Sequence, residues 1–258
     1  MKWLFVNSGA GTGQFNMDFD LYLARNSKPD EVIFRLYQWN PYCISLGANQ
    51  NIASINTALA KSDGIDIVKR PTGGRAILHA EELTYSVIYP VDSQTSAKNI
   101  YYEINLALKQ GLFLYDERLK LVELENIQPD FPKVYKEEIS SICFAVSAKN
   151  ELKFLGKKLV GSAQRKLGNA ILQHGSILCG DYHKKVVTYL NEPIGDVSLY
   201  TEEIDKITTN LGSILRSEIN YNKLGNSLVR GFEEHFQVKL DNSNFPQIAE
   251  GINQTVFS

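Results

Sequence analysis

Glu151-Leu152-Lys153-Phe154-Leu155-Gly156-Lys157-Lys158-Leu159-Val160-Gly161-Ser162-Ala163-Gln164 and, one turn later, Ala170-Ile171-Leu172-Gln173-His174-Gly175-Ser176-Ile177-Leu178 decide the fold class. Turn-forming pairs bracket these apolar runs: Lys149-Asn150, Gly156-Lys157 and Gly168-Asn169. Such punctuation predicts antiparallel strands joined by tight turns. The pattern reaches back to Cys143, so a β-meander is expected over residues 143–178, with runs at 143–148, 151–155, 158–164 and 170–178. Within the third run, Gly161-Ser162-Ala163 offers little side chain to pack, and small residues weaken a strand unless the space is needed. Either a ligand lies against the backbone there, or a bulge sits under a bulky neighbour.

Working outward, Trp3 to Asn7 reads as a first strand, followed by a helix from Asn16 to Asn26 with Phe15, Phe19 and Leu23 four apart on its apolar face. Further β-rich runs are Val32 to Tyr37, Cys43 to Leu46, Asp66 to Val68 and Leu83 to Tyr89. The longest helix is expected from Ser96 to Gln110, with Ser96 as N-cap and Ile100, Ile104, Ala107 and Leu108 as the buried stripe. After Asp181 the chain turns helical and more polar, and Leu228, Val229, Phe232 and Phe236 give the last helix its apolar face. Strands outnumber helices without alternating regularly with them, so the class is α+β. Residues 1–199 are expected to form a catalytic domain and residues 200–258 a small helical accessory region.

Composition narrows the function classes. Hydrophobic residues at 43% and charged residues at 22% of 258 positions exclude a disordered or fibrous chain. Lys plus Arg number 27 against 29 Asp plus Glu, so no broad polyanion-binding surface, and no nucleic-acid partner, is expected. Cys43, Cys143 and Cys179 are odd in number and scattered, which argues against a disulfide framework or zinc site and for a reducing compartment. No apolar run approaches roughly 20 residues and the first residues do not read as a signal peptide. A cytoplasmic protein with no membrane partner is therefore expected, and the lack of a coiled-coil seam suggests a monomer. Ser8-Gly9-Ala10-Gly11-Thr12-Gly13 lacks the glycine order and the Lys-Ser/Thr of a phosphate cradle, so no nucleotide cofactor and no metal are anticipated.

Three constellations can carry chemistry. In Lys69-Arg70-Pro71-Thr72-Gly73-Gly74-Arg75-Ala76-Ile77-Leu78-His79, paired glycines let the backbone approach a ligand between two arginines. Such a loop either holds an acyl carbonyl, phosphate or carboxylate, or is a hairpin turn with solvated arginines. The second constellation is the Gly-Ser-Ala strand, which Lys158 begins. The third is Ser140-Ser141-Ile142-Cys143-Phe144, where the cysteine is either a small buried hydrophobe or a nucleophile. Cys143 precedes Lys158 by one hairpin. A free thiol is only a few per cent thiolate at neutral pH, and an ammonium within about 4 to 6 Å would make it largely thiolate.

Together these segments, with Glu82-Leu83-Thr84-Tyr85-Ser86-Val87, Asn16-Met17…Asp20 and Ser45-Leu46-Gly47, resemble the biotin/lipoate protein ligase and acyltransferase superfamily. More closely, they are similar to its cysteine-dependent octanoyl-[acyl-carrier-protein]:protein N-octanoyltransferases. The resemblance implies a catalytic domain with a larger and a smaller mixed β-sheet flanked by helices. It implies Cys143 as the residue that takes the acyl group as a thioester and Lys158 as the group that lowers its pKa. It further implies acyl binding by Arg70, Gly73, Gly74, Arg75, Ala76, His79, Gly161, Ser162, Ala163, His174 and Gly175. Ligases that activate lipoate with ATP usually carry Gly-Gly-Gly and a Gly-Asn after the histidine; Gly73-Gly74-Arg75 and Glu82-Leu83 depart from that and favour transfer from a ready-made thioester.

The expected reaction moves octanoyl from octanoyl-acyl carrier protein to a lysine of a lipoyl-domain acceptor, with glycine cleavage H protein as the acceptor that the resemblance suggests. Three alternatives stand beside it: an ATP-dependent lipoate or octanoate ligase, an octanoyl amidotransferase between lipoyl-domain proteins, and a non-catalytic acyl- or protein-binding module.

Overall fold

The computed structural model describes residues 1–91, 95–127, 149–191 and 197–242. The expected strand at 143–148, and with it Cys143, lies outside the described residues. The elements run β1 (Lys2–Gly11), α1 (Gly13–Asn26), β2 (Glu31–Trp39), β3 (Cys43–Leu46), α2 (Thr57–Ser62), β4 (Asp66–Lys69), β5 (Ile77–His79), β6 (Glu82–Pro90) and α3 (Ala97–Tyr115). They continue with β7 (Val122–Leu124), β8 (Leu152–Phe154), β9 (Lys157–Leu167), β10 (Ala170–Leu178), α4 (Val197–Ile207), α5 (Leu211–Leu215), α6 (Tyr221–Phe236) and β11 (Leu240–Asn242).

Among the described residues, eight strands form one mixed sheet in the order β11-β1-β2-β6-β10-β9-β8-β7, and three form a smaller one, β4-β3-β5. The meander is present in β8, β9 and β10, which pair antiparallel in sequence order. β1 runs parallel to both β2 and β11, whereas β6 joins β2 and β10 antiparallel. The fold is α+β with a larger and a smaller mixed sheet.

Both faces of the large sheet are covered. On one, α3 and α6 pack over Phe34, Tyr85, Val87 and Ile171, and Phe232 stacks on Phe34 at 3.9 Å between ring centres. On the other, Phe19 and Leu23 of α1 meet Val6, Ile33, Ile88 and Leu172. Each such buried side chain contributes roughly 1.5–3 kcal/mol. The segment beyond residue 200 places Leu211, Leu215, Leu224, Leu228 and Phe232 in the same core as α3. The small sheet has its own apolar cluster, in which Ile44, Leu46, Ala76 and Leu78 meet Val186, Val187 and Ile204.

Local chemistry explains where elements start and stop. Ser96 caps α3, accepting from the Asn99 N–H at 3.3 Å. The helix runs five residues past the expected Gln110, because Gly111 sits where α6 crosses: a Cβ at Gly231 would lie 2.3 Å from the Gly111 nitrogen. β1 continues past Asn7 to Gly11 through a register shift between Asn7 and Ala10, so the glycine-rich stretch is a bulged strand end. Thr12 then caps α1, which begins three residues earlier than the periodicity indicated. β5, β7 and β11, three residues each, were not anticipated from the sequence. No described helix is long and apolar enough to cross a membrane.

Candidate active site

The two sheets meet around a cavity with a largely apolar wall. From the large sheet it is lined by Gly161, Ser162 and Ala163 of β9, and by His174, Gly175 and Ser176 of β10. These residues face one another in register, Gly161 against Ser176 and Gly175 against Ser162. The small residues of β9 therefore open a space against the backbone. From the small sheet and the turn after it come Ser45, His79 and Arg70, and Met17, Tyr37 and Trp39 also line the cavity. Among the expected site residues, Arg70, His79, Gly161, Ser162, Ala163, His174 and Gly175 are brought together here. Gly73, Gly74 and Arg75 belong to the adjoining turn without lining the cavity, and Ala76 is a core side chain of the small sheet.

The 70–75 turn is braced from within. Arg70 is 3% exposed, and its guanidinium donates to the carbonyls of Ser45 (2.8 Å), Gly73 (2.9 Å) and Arg75 (2.7 Å) and to Ser45 Oγ (3.1 Å). Its donors are thus directed at the turn itself rather than only at a ligand. Gly74 adopts φ 97°, a backbone conformation suited to glycine. Gly47 lies so close beneath that a Cβ there would stand 1.9 Å from the Gly74 carbonyl oxygen. Overpacking of this kind costs about 1–3 kcal/mol. Gly47→Ala is expected to lower the thermal midpoint by about 5 °C; an unchanged melt would show that the turn yields freely.

Behind the cavity lies a buried polar layer. Asp20 Oδ1 accepts from Arg35 at 2.7 Å and from Ser86 Oγ at 2.7 Å, all three groups being fully buried. Burial alone would raise the Asp20 pKa, but Arg35, His174 and Ser86 together outweigh it and hold the carboxyl below its ordinary value. Glu82 is likewise buried, and His79, Thr84 and Ser176 overcome the desolvation and keep its pKa low. Both carboxylates are therefore ionised acceptors. Burial also lowers the His174 pKa, so its ring is neutral. The sequence carried a signal for this layer that went unused: Arg35 interrupts an otherwise apolar strand, and Asp20 adjoins Phe19 on the buried side of α1.

Lys158 is 2% exposed on β9, with its ammonium 2.9 Å from Glu151 Oε2. The other oxygen of Glu151 accepts from the Ser162 N–H at 2.9 Å, tying the ion pair to the cavity strand. Glu151 was not singled out from the sequence. Lys158 itself does not line the cavity. Of the cysteines described, Cys43 is fully buried and burial pushes its thiol pKa well up; Cys179 is 5% exposed and is pushed up to about 12. Neither lines the cavity.

Comparison with known proteins agrees with this architecture. A family model described as the lipoyl protein ligase A/B catalytic domain matches residues 12–233. The chain is 29% identical to octanoyltransferase LipM of Clostridioides difficile, over 92% of this chain and 88% of that one. It is 32% identical to octanoyltransferase LipM of Anoxybacillus flavithermus, over 93% and 88%. Against the protein of the same name from Bacillus subtilis the identity is 37%, over 68% and 65%. A crystal structure of lipoate-protein ligase A bound with ATP superposes with a TM-score of 0.78 at 19% identity, covering 100% of this chain and 94% of that one, a likeness of fold. On the family match and these relatives, the chain belongs to the lipoyl protein ligase A/B catalytic domain family.

Proposed function

We propose that this protein transfers an octanoyl group from octanoyl-acyl carrier protein to a lysine of a lipoyl-domain acceptor, such as glycine cleavage H protein, through a thioester on Cys143. The observation that carries the reading is the apolar cavity lined by Gly161–Ala163, Ser45, Arg70 and His79, in a chain whose named relatives are octanoyltransferases. The thiol chemistry supports it by elimination. Cys43 and Cys179 are buried away from the cavity with raised pKa values, so Cys143 is the thiol left to act as nucleophile.

In the first step the Cys143 thiolate attacks the carrier thioester. The new C–S bond forms as the old one breaks, and the carrier thiolate leaves and takes up a proton. In the second step the neutral ε-amine of the acceptor lysine attacks octanoyl-Cys143; the C–N bond forms, the C–S bond breaks to release the Cys143 thiolate, and the amine nitrogen gives its surplus proton to solvent. Splitting one transfer into two easier steps is the benefit of covalent catalysis. Thioester exchange is nearly isoenergetic and amide formation is downhill, so neither step requires ATP. Lys158 stabilises the thiolate and polarises the carbonyl, while Glu151 keeps its ammonium in place. Backbone N–H groups near Gly73 and Gly74 stabilise the oxyanion, at about 3 kcal/mol for a well-placed donor. Each methylene buried in the cavity contributes about 0.8 kcal/mol, so neighbouring chain lengths differ only several-fold per carbon unless the cavity ends in a wall.

Incubation with octanoyl carrier is expected to give a hydroxylamine-labile adduct of octanoyl mass on Cys143, read by mass spectrometry of the intact and digested protein. Persistence of that adduct in Cys143→Ser would overturn the assignment. A panel of octanoyl carrier, octanoyl-H protein, and octanoate with ATP separates the donors: modification of the acceptor by octanoate and ATP alone would identify a ligase.

A further inference from the structure

Two side-chain chains of the same composition approach the 70–75 turn from opposite walls of the cavity. In the first, His79 Nδ1 lies 2.8 Å from Glu82 Oε1 and His79 Nε2 lies 2.7 Å from Ser45 Oγ, which in turn is 3.1 Å from Arg70 Nη1. In the second, His174 Nδ1 lies 3.3 Å from Asp20 Oδ2, and His174 Nε2 lies 2.6 Å from Thr72 Oγ1. Each chain begins on a buried carboxylate, passes through a histidine that lines the cavity and ends on the turn, one on Arg70 and the other on Thr72.

The directions of these bonds follow from what each group can donate. An ionised carboxylate only accepts, so the Nδ1 atoms of both histidines carry the proton. A guanidinium only donates, so Ser45 Oγ accepts from Arg70 and turns its own proton toward His79 Nε2. Thr72 likewise donates to the remaining nitrogen of His174. The first chain is further fixed by Trp39, whose ring stacks on His79 at 4.1 Å and 12° and whose Nε1 donates to Thr84 Oγ1 at 2.7 Å. Thr84 in turn donates to Glu82 Oε1 at 2.6 Å. On the second, Asp20 is held by Arg35.

We propose that Glu82–His79–Ser45 and Asp20–His174–Thr72 are a two-sided clamp that fixes the 70–75 turn in the geometry acyl transfer requires. Glu82, Asp20 and Thr72, which do not line the cavity, and Ser45, which does, are then positioning residues that act through the turn. The inference deepens the octanoyl-transfer reading and rests on it for its kinetic consequence, though not for its structural one. A turn held this firmly needs no reorganisation as charge develops on the acyl oxygen, so loss of the clamp is felt in the transition state more than in donor binding.

The test pairs substitutions with a measurement that needs no substrate. Thr72→Val keeps the shape and removes the hydroxyl, whereas Thr72→Ser keeps the hydroxyl and loses a methyl. The clamp predicts that Thr72→Val and Ser45→Ala each slow Cys143 acylation about tenfold, the equivalent of roughly 1.4 kcal/mol. Donor KM should change less than about threefold, and Thr72→Ser should retain at least about half of the wild-type rate. A packing role alone predicts the reverse order, with valine better than serine, and that order would overturn the proposal. Because both chains hold one turn, the double variant should lose less than the product of the single losses. Independently, nitrogen-15 NMR of the histidine rings should show Nδ1–H tautomers at His79 and His174, with the His79 signature altered in Glu82→Gln. An Nε2–H tautomer at either ring overturns the clamp whether or not transfer is observed. If the wild-type protein accepts octanoyl from no donor, the transfer reading falls and the tautomers alone decide on the clamp.

Discussion

Lys158→Met is expected to slow octanoyl transfer more than about tenfold and to lower the thermal midpoint by about 10 °C, two effects with separate causes. The stability loss comes from Glu151. Its carboxylate is 3% exposed, and with the ammonium at 2.9 Å removed it becomes an uncompensated buried charge. Breaking a buried pair from one side costs about 3–5 kcal/mol. On the proposed mechanism the activity loss comes from Cys143, whose thiol without the neighbouring ammonium would be only a few per cent thiolate near neutrality. The double variant Lys158→Met/Glu151→Gln separates the two. Without the orphaned charge its midpoint should return to within a few degrees of wild type, while acylation of Cys143 stays as slow as in the single variant. Differential scanning calorimetry and the mass-spectrometric adduct assay read the two arms. Recovery of acylation in the double variant would remove Lys158 from the mechanism.

Arg35→Met should be the most destabilising single change in the described structure. The guanidinium donates to Asp20 Oδ1 at 2.7 Å, to Asn16 Oδ1 at 2.7 Å, to the Asn16 carbonyl at 3.1 Å and to Ser8 Oγ at 2.9 Å. It also lies over the Tyr37 ring at 3.9 Å and the Phe19 ring at 4.5 Å. Methionine fills much of the volume but leaves Asp20 ionised without its cation, so a loss of at least about 4 kcal/mol is expected. Chemical denaturation should show a lower midpoint with an unchanged slope. The Asp20→Asn/Arg35→Met pair should recover part of that loss, because no buried charge remains. A single variant within about 1 kcal/mol of wild type would mean that Asp20 takes up a proton instead of standing ionised.

Much of this protein was legible without coordinates. β-branched and aromatic composition together with turn pairs located β6, β8, β9 and β10, since both are local features of the chain. The small residues 161–163 left two readings open, a ligand against the backbone or a bulge, and the structure places them along a cavity. The Ser96 cap was readable because an N-cap bond spans only three residues. Helix limits were less legible: α3 passes through Gly111 because α6 crosses it there, a fact of packing that propensity does not contain.

What the sequence by itself determined was the α+β class and the antiparallel run of β8, β9 and β10, because these depend on local composition and turn chemistry. Only the tertiary structure decided how the polar residues are used. Asp20, Arg35, Ser45, Thr72, Glu82 and His174 come from α1, β2, β3, the 70–75 turn, β6 and β10. They become neighbours because burying the apolar faces of two sheets and α1 draws their polar members into one water-poor layer. There each ionised or polar group must find a partner, and the partner is set by the fold rather than by distance along the chain.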